Sequence, residues 1–139
     1  MRTLGIAVAA AILGLASSAA LAEDSYPAVP LLSTSETVAG EAIAYPTTGK
    51  AVVTAAIVTL APGEKTVLHK HGVPLFIYIL EGEVTVDYGA AGTKSFRQGD
   101  SFMEAMDVEH AGANAGSTPV RILAVYMGAE GSENVIPKP

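Results

Sequence analysis

Three histidines carry the clearest chemical signal in this chain of 139 residues, and they are its only histidines. His69 and His71 stand two apart in the segment TVLHKHGVP. Alternate residues of a β-strand point to the same face, so these two imidazoles can bind one ion together. His110, from a second strand, would complete three nitrogen ligands and leave other coordination positions open. The alternative for each is a surface or buried histidine satisfied by ordinary hydrogen bonds.

Neutral imidazole ligands suit several divalent transition metals. We expect iron if the protein is an enzyme, and zinc, manganese, nickel and copper are also compatible with the ligands. Glu104 precedes His110 by six residues and is the carboxylate expected closest to the site. It is predicted to be a fourth ligand or a general base, and the alternative is a rim glutamate in a hydrogen bond or salt bridge. Tyr78 and Tyr126 are candidates for a hydroxyl that contacts substrate.

The segments around these residues predict β-strands throughout. Residues 83–88 alternate apolar and polar side chains with the period of two that a strand shows. Further strands are predicted at residues 51–60, 65–71, 75–80, 93–97, 101–104, 108–114 and 120–127, with glycine or proline between most of them. No segment after the first 22 residues has helical periodicity. Many short strands with turns between them indicate an all-β sandwich or barrel.

The first 22 residues predict a secretory signal peptide rather than a folded element. A basic start at Arg2 precedes an apolar run, and Ala20-Leu21-Ala22 is a small-residue cleavage site. The alternative is a membrane anchor, but the apolar run is short for a spanning helix. We therefore expect a periplasmic protein without stable membrane insertion after cleavage. Residues 23–36 are predicted to be an extended arm, residues 37–128 the barrel, and residues 129–139 a tail.

Charge and composition exclude some kinds of partner. The net charge is −6 and the few Lys and Arg residues form no cluster, so nucleic acid is not an expected partner. There is no cysteine, so disulfides do not stabilise the exported domain. The expected partner is a small-molecule ligand or substrate.

Two motifs resemble those of the cupin superfamily. Residues 63–82, with the paired histidines and the ending Leu80-Glu81-Gly82, resemble the first cupin motif. Residues 99–114 resemble the second, with His110 eleven positions after Gly99 and Asn114 four positions after His110. The resemblance implies a double-stranded β-helix, which is a small jelly-roll barrel, and it also implies a homodimer.

The sequence departs from the family pattern at three positions. Leu75 stands where the first motif usually has a metal-binding glutamate. Ala105 and Asp107 stand where the second motif usually has proline and glycine, which we expect to alter a turn rather than the chemistry. The three histidines that remain are similar to the ligand set of some cupin dioxygenases.

The sequence leaves three functions open. The first is a metal-dependent oxidoreductase of the dioxygenase type, acting on a small organic molecule. The second is a periplasmic cupin that binds a metal or small ligand without turnover. The third is a barrel whose metal is mainly structural. The fold does not decide between them, because one fold carries many unrelated activities.

Overall fold

The structure is a computed structural model that describes residues 27–139. The predicted signal peptide and the first four residues of the predicted arm lie outside the described residues. Residues 27–36 are largely exposed and form no strand beyond a single bridge at Glu36, and the Ser101 hydroxyl donates a hydrogen bond to the Leu31 carbonyl at 2.8 Å. Within residues 27–139 no helix is long and apolar enough to cross a membrane.

The described chain is all-β, as the sequence predicts. Apart from a single 3₁₀ turn at Gly89–Ala91, its regular elements are strands. The strands are β1 (Ala51–Leu60), β2 (His69–Lys70), β3 (Leu75–Glu81), β4 (Glu83–Asp87), β5 (Thr93–Arg97), β6 (Ser101–Met103), β7 (Ala111–Ala113), β8 (Val120–Ala129) and β9 (Ile136–Pro137).

The alternating sequence of β4 produces the expected burial. Val84 and Val86 are buried, whereas Glu83 and Asp87 are exposed. The turn from β3 into β4 requires glycine at position 82, where φ is 77° and an added Cβ would lie 2.7 Å from the Pro119 carbonyl oxygen. The hydrophobic period and one obligatory glycine therefore determine this connection between two strands that belong to different sheets.

Two sheets enclose one hydrophobic core. The larger sheet has the strand order β1-β8-β3-β6, and the smaller has the order β5-β4-β7. Leu75 and Ile77 of the larger sheet share the core with Val84 and Val86 of the smaller. Because side chains alternate along a strand, each strand of the larger sheet has one face toward the core and one away from it.

The last residues of the chain belong to the part of the structure that holds the first two histidines. β9 pairs with β2 in an antiparallel ribbon, with His69 opposite Pro137 and Lys70 opposite Ile136. The predicted strand over residues 65–71 is wrong in extent, since only His69–Lys70 is strand. Of the predicted tail over residues 129–139, Ala129 is the end of β8 and only Ile136–Pro137 pairs with β2, which is too short to impose a periodic pattern.

A carboxylate from the N-terminal segment fixes the loop before His110. The Glu41 carboxylate accepts hydrogen bonds from the backbone N–H groups of Met106, Asp107 and Val108, at 2.7–2.9 Å, and from the Thr37 hydroxyl at 3.0 Å. This loop contains the positions at which the family has proline and glycine. The bonds to Glu41 constrain this loop, which lacks the proline that would otherwise restrict its backbone.

Replacing Glu41 by glutamine should destabilise the fold in a pH-dependent way. Burial alone would raise the pKa of Glu41, but the N–H groups of Met106 and Val108 and the Thr37 hydroxyl outweigh it and hold the pKa below its ordinary value of 4.5. The carboxylate therefore stabilises the fold above that pH, and the stabilisation is lost as the pH falls through the lower folded-state pKa. For a group this exposed we expect a cost of about 1 kcal/mol near neutral pH.

Urea denaturation of the wild type and Glu41→Gln from pH 7 down to pH 3 measures this difference. Glu130→Gln is the matched control, because its carboxylate is exposed and only 4.0 Å from the exposed Lys50 ammonium. A constant difference between the wild type and Glu41→Gln across this range would contradict the assignment.

Candidate metal centre

Backbone pairing brings His110 close to His69, which together with His71 forms the first pair of histidines. The His69 N–H donates to the His110 carbonyl at 3.1 Å, and the His110 N–H donates to the His69 carbonyl at 2.9 Å. Residues directly opposite in an antiparallel pair project to the same face. His71 is fixed separately, since its N–H donates to the Met106 carbonyl at 3.0 Å.

The three imidazoles form one compact group. Their ring centroids are 4.6–5.1 Å apart, and one potential ligand atom from each lies within 4.8 Å of the others. His71 and His110 are 4% and 2% exposed, whereas His69 is half-buried. The structure thus places together all three histidines that the sequence singles out, in an arrangement that can hold one ion.

The same kind of hydrogen bond orients each ring. The Nδ1 atoms of His69, His71 and His110 lie 2.7, 2.8 and 2.9 Å from the carbonyl oxygens of Val67, Asn134 and Val108. A carbonyl oxygen only accepts, so each Nδ1 carries the proton and each neutral ring keeps its lone pair on Nε2. A backbone carbonyl on the second nitrogen is a typical support for a metal-binding histidine.

Burial keeps these rings neutral. It lowers the pKa of His69, His71 and His110, and that of His71 falls to about 4. The carbonyl bonds act in the opposite direction but do not cancel the effect of burial. Metal ligation requires the deprotonated imidazole, so the three rings are in the competent state at neutral pH.

Glu104 lies at the same site, 6% exposed. Its Oε1 accepts hydrogen bonds from the Tyr88 hydroxyl and from the Ala105 N–H, both at 2.7 Å. Its Oε2 is 3.9 Å from His110 Nε2. Because the pKa of His110 is lowered, this contact is not an ion pair at neutral pH. One carboxylate oxygen is therefore anchored, while the other faces the histidines.

Burial raises the pKa of Glu104 to about 7, although the Tyr88 hydroxyl and the Ala105 N–H favour the charged form. A carboxyl group with a pKa near neutrality can both accept and release a proton at physiological pH. A cation held by the neighbouring histidines would favour its ionised form.

Tyr88 is the site residue that sequence reasoning missed. It is 1% exposed, and burial together with the charge of Glu104 raises the pKa of its hydroxyl, so this group remains a donor. The signal was present in the sequence, since Tyr88 continues the alternation of Val84 and Val86 onto the core face. The strand ends at Asp87, and nothing local indicated that the next residue would reach Glu104.

Glu104 also lies beside the position of the missing family glutamate. The Glu104 N–H donates to the Leu75 carbonyl at 2.8 Å, next to the pair formed by Phe76 and Met103 across β3 and β6. The carboxylate thus enters from the strand that pairs with the one carrying Leu75. Leu75 is buried and contributes an apolar wall.

A cavity of about 90 Å³ extends from the histidines and Glu104 into the barrel. Tyr126 lines it, and its ring centroid is 5.8 Å from that of His71. Tyr78, the other tyrosine considered from the sequence, is on the opposite face of β3 from the cavity-lining Ile77. The apolar walls are formed by Val58, Leu60, Leu75, Ile77, Val84, Val86, Phe102, Ile122 and Ala124.

Asn114 has a structural role rather than a role in orienting His110. Its amide nitrogen donates to the carbonyls of Leu60 and Thr118 at 2.9 and 2.8 Å, and its oxygen accepts from the Gly116 N–H at 2.9 Å. These bonds close the turn before β8. Asn114 is therefore buried and satisfied without contacting the imidazoles.

The family assignment follows from a sequence match. The cupin-domain family model matches residues 56–126, which is just over half of the chain and includes all three histidines and Glu104. The chain belongs to the cupin superfamily. No curated protein matches it significantly.

Solved structures share the fold. The oxalate decarboxylase of Lactobacillus farciminis, solved as a formate complex, is 27% identical with a TM-score of 0.53, and the match covers 61% of this chain and 26% of that chain. The polyketide cyclase RemF of Streptomyces resistomycificus is 21% identical with a TM-score of 0.52, over 66% of this chain and 62% of that one. A Bacillus subtilis oxalate decarboxylase, described with Mn(II) centres, is 21% identical with a TM-score of 0.50, over 61% and 23%. This chain thus spans about a quarter of either decarboxylase.

His71→Ala should abolish stoichiometric metal binding. Two imidazoles do not complete the set of three nitrogen ligands, and at this buried position water does not replace the lost imidazole. Isothermal titration with Zn²⁺ checks this, with a thermal melt of each variant to confirm folding. Lys70→Ala is the matched control, since its side chain lies between the two histidines in sequence but its ammonium is 3.5 Å from Asp107. A folded His71→Ala protein that still binds one ion with unchanged affinity would remove the basis of the site.

Proposed function

We propose that this cupin is a metal-dependent oxidoreductase of the dioxygenase type that acts on a small organic molecule, with His69, His71 and His110 as its metal ligands. The observation that carries the proposal is the convergence of three imidazoles, each with Nδ1 bonded to a backbone carbonyl, beside a buried carboxylate and an internal cavity. Iron is the metal we propose, and zinc, manganese, nickel and copper fit the same ligands. The Mn(II) centres described for the Bacillus subtilis enzyme are an example of a redox metal in this fold.

When bound, the metal supplies Lewis acidity and, if it is iron, redox chemistry with dioxygen. The residues of the chain set the charge at the metal, move the proton and line the cavity. Three neutral imidazoles add no negative charge, so they leave the charge of a divalent ion available to an anionic substrate group. Glu104 receives or returns a proton at Oε2, while Tyr88 and the Ala105 N–H hold Oε1 in place. Most of the remaining cavity wall is apolar.

A binding protein without turnover is the second candidate. The small cavity favours it, because about 90 Å³ leaves little room for a substrate and a co-substrate together. A coordination sphere completed by Glu104 would instead favour a metal that is mainly structural.

Glu104→Gln tests the role of the carboxylate. Glutamine can still accept the bonds from Tyr88 and Ala105, so the fold should persist, but the charge and the proton-accepting oxygen are lost. We expect metal affinity to fall by about 10- to 100-fold. Oxygen consumption by the iron-loaded protein, measured with a panel of small thiols, diketones and carboxylic acids, should fall to background.

The matched control is Glu109→Gln, one residue from His110, whose carboxylate is 2.6 Å from the Lys138 ammonium at the surface. Unchanged affinity and rate in Glu104→Gln would make Glu104 a structural residue. Wild-type protein that binds metal but consumes no oxygen with any compound would favour the binding protein.

Export to the periplasm and homodimer formation are also part of the proposal. Export rests on the sequence of residues 1–22. The exposed edge of β1 supports a dimer: within residues 27–139 only β8 pairs with β1, and its Val52, Val53 and Ile57 are 42%, 67% and 48% exposed. A long edge strand without charge or proline is a template for pairing, and a second copy could pair with it antiparallel about a two-fold axis.

Val53→Lys should convert the dimer to a monomer, because a charge on an uncharged edge opposes pairing. Sedimentation velocity of the wild type and the variant measures this, and Thr93→Lys on the exposed β5 should leave the dimer intact. A wild type that is monomeric at every concentration would contradict the dimer.

A further inference from the structure

The charge inside the cavity limits what can bind there. Among residues 27–139, the cavity lining contains no Lys or Arg, and Glu104 is its only acidic side chain. Once the histidines hold a divalent ion, the ion and the Glu104 carboxylate together leave one positive charge. A single negative group on a ligand can be matched at the metal, but a second one would meet no cationic side chain in the lining.

The polar side chains that line the cavity also limit what can bind there. Apart from the three imidazoles and Glu104, its polar side chains are Thr66 and Tyr126. Thr66 Oγ1 already accepts a hydrogen bond from the Gly112 N–H at 2.9 Å. Burying a polar group without a partner costs free energy, so the part of a ligand that lies against the apolar walls, away from Thr66 and Tyr126, should be apolar.

The volume limits the length of that apolar part. The cavity of about 90 Å³ is smaller than the engineered cavity of about 150 Å³ that accepts benzene. Aromatic rings and long chains do not fit without rearrangement of the walls.

We infer that the site takes a short aliphatic monoanion, with its charged head at the metal and a tail of fewer carbons than benzene against the apolar walls. The inference rests on the proposed metal site and goes beyond it by naming the ligand class. Dicarboxylates are rejected by the uncharged end of the cavity, and longer acids are rejected by its size.

Titrations of the Co(II)-loaded protein test this class, because the visible spectrum of Co(II) responds to a change in its ligands. The probes are butanoate, butanedioate with the same number of carbons, and octanoate. We expect butanoate to bind about tenfold or more tightly than either of the others, since an unpaired carboxylate or excess methylenes oppose binding. Equal or tighter binding of butanedioate or octanoate would overturn the inference.

A pair of variants on one strand locates the tail. Ile122 lines the cavity, whereas the adjacent Leu123 is on the opposite face of β8. Ile122→Ala should improve binding of hexanoate relative to butanoate several-fold, and Leu123→Ala should keep the wild-type ratio. A wild-type ratio in a folded, Co(II)-binding Ile122→Ala protein would place the tail outside the cavity and contradict the inference. If Ile122→Ala does not fold, the three-probe titration of the wild type decides alone.

The Co(II) titration without organic ligand separates this inference from the proposed function. If Co(II) does not bind, the metal site itself is wrong and the ligand class falls with it. If Co(II) binds and none of the acids changes its spectrum, the metal site stands and the ligand class is wrong.

Discussion

The two backbone hydrogen bonds between His69 and His110 are the constraint on which the site depends. They join segments 41 residues apart in sequence and place two imidazoles on one face. Without them, His110 would lose the backbone pairing that places it beside His69. Each side of this bridge is secured from elsewhere: β9 pairs with β2 on one side, and Glu41 holds the loop before His110 on the other. The N-terminal segment and the C-terminal residues thus both serve the same pair of hydrogen bonds.

A buried carboxylate in an otherwise apolar cavity is the second feature of the site. Isolated, it would be costly, and its raised pKa reflects that cost. The Tyr88 hydroxyl and the Ala105 N–H offset part of it, and both act on the same oxygen. A divalent ion at the histidines would offset more, through the oxygen that faces them. The carboxylate and the three imidazoles are therefore best understood as one electrostatic unit.

The sequence predicts the fold and the three histidines of the site, but not all of the contacts that position them. The period of two in β4 and the many short strands are local patterns that predict an all-β fold. The resemblance of two motifs to those of the cupins implies the barrel and places the three histidines in register. Glu104 is predicted near the site by its distance from His110. The bonds made by Glu41 are not predictable, because they join positions 65 to 67 residues apart and leave no periodic signal. The pairing of β9 with β2 is not predictable either, because a strand of two residues that includes a proline has the sequence of a loop.

The central claim is that the three histidines hold one transition-metal ion. Elemental analysis of the protein, exported from cells and purified without a histidine tag, tests it most directly. We predict one transition-metal ion per chain, with iron the expected element for an oxidoreductase. Protein that contains no metal as purified, and takes up none when iron, zinc, manganese, nickel or copper is added, would contradict the claim and leave a metal-free binding barrel.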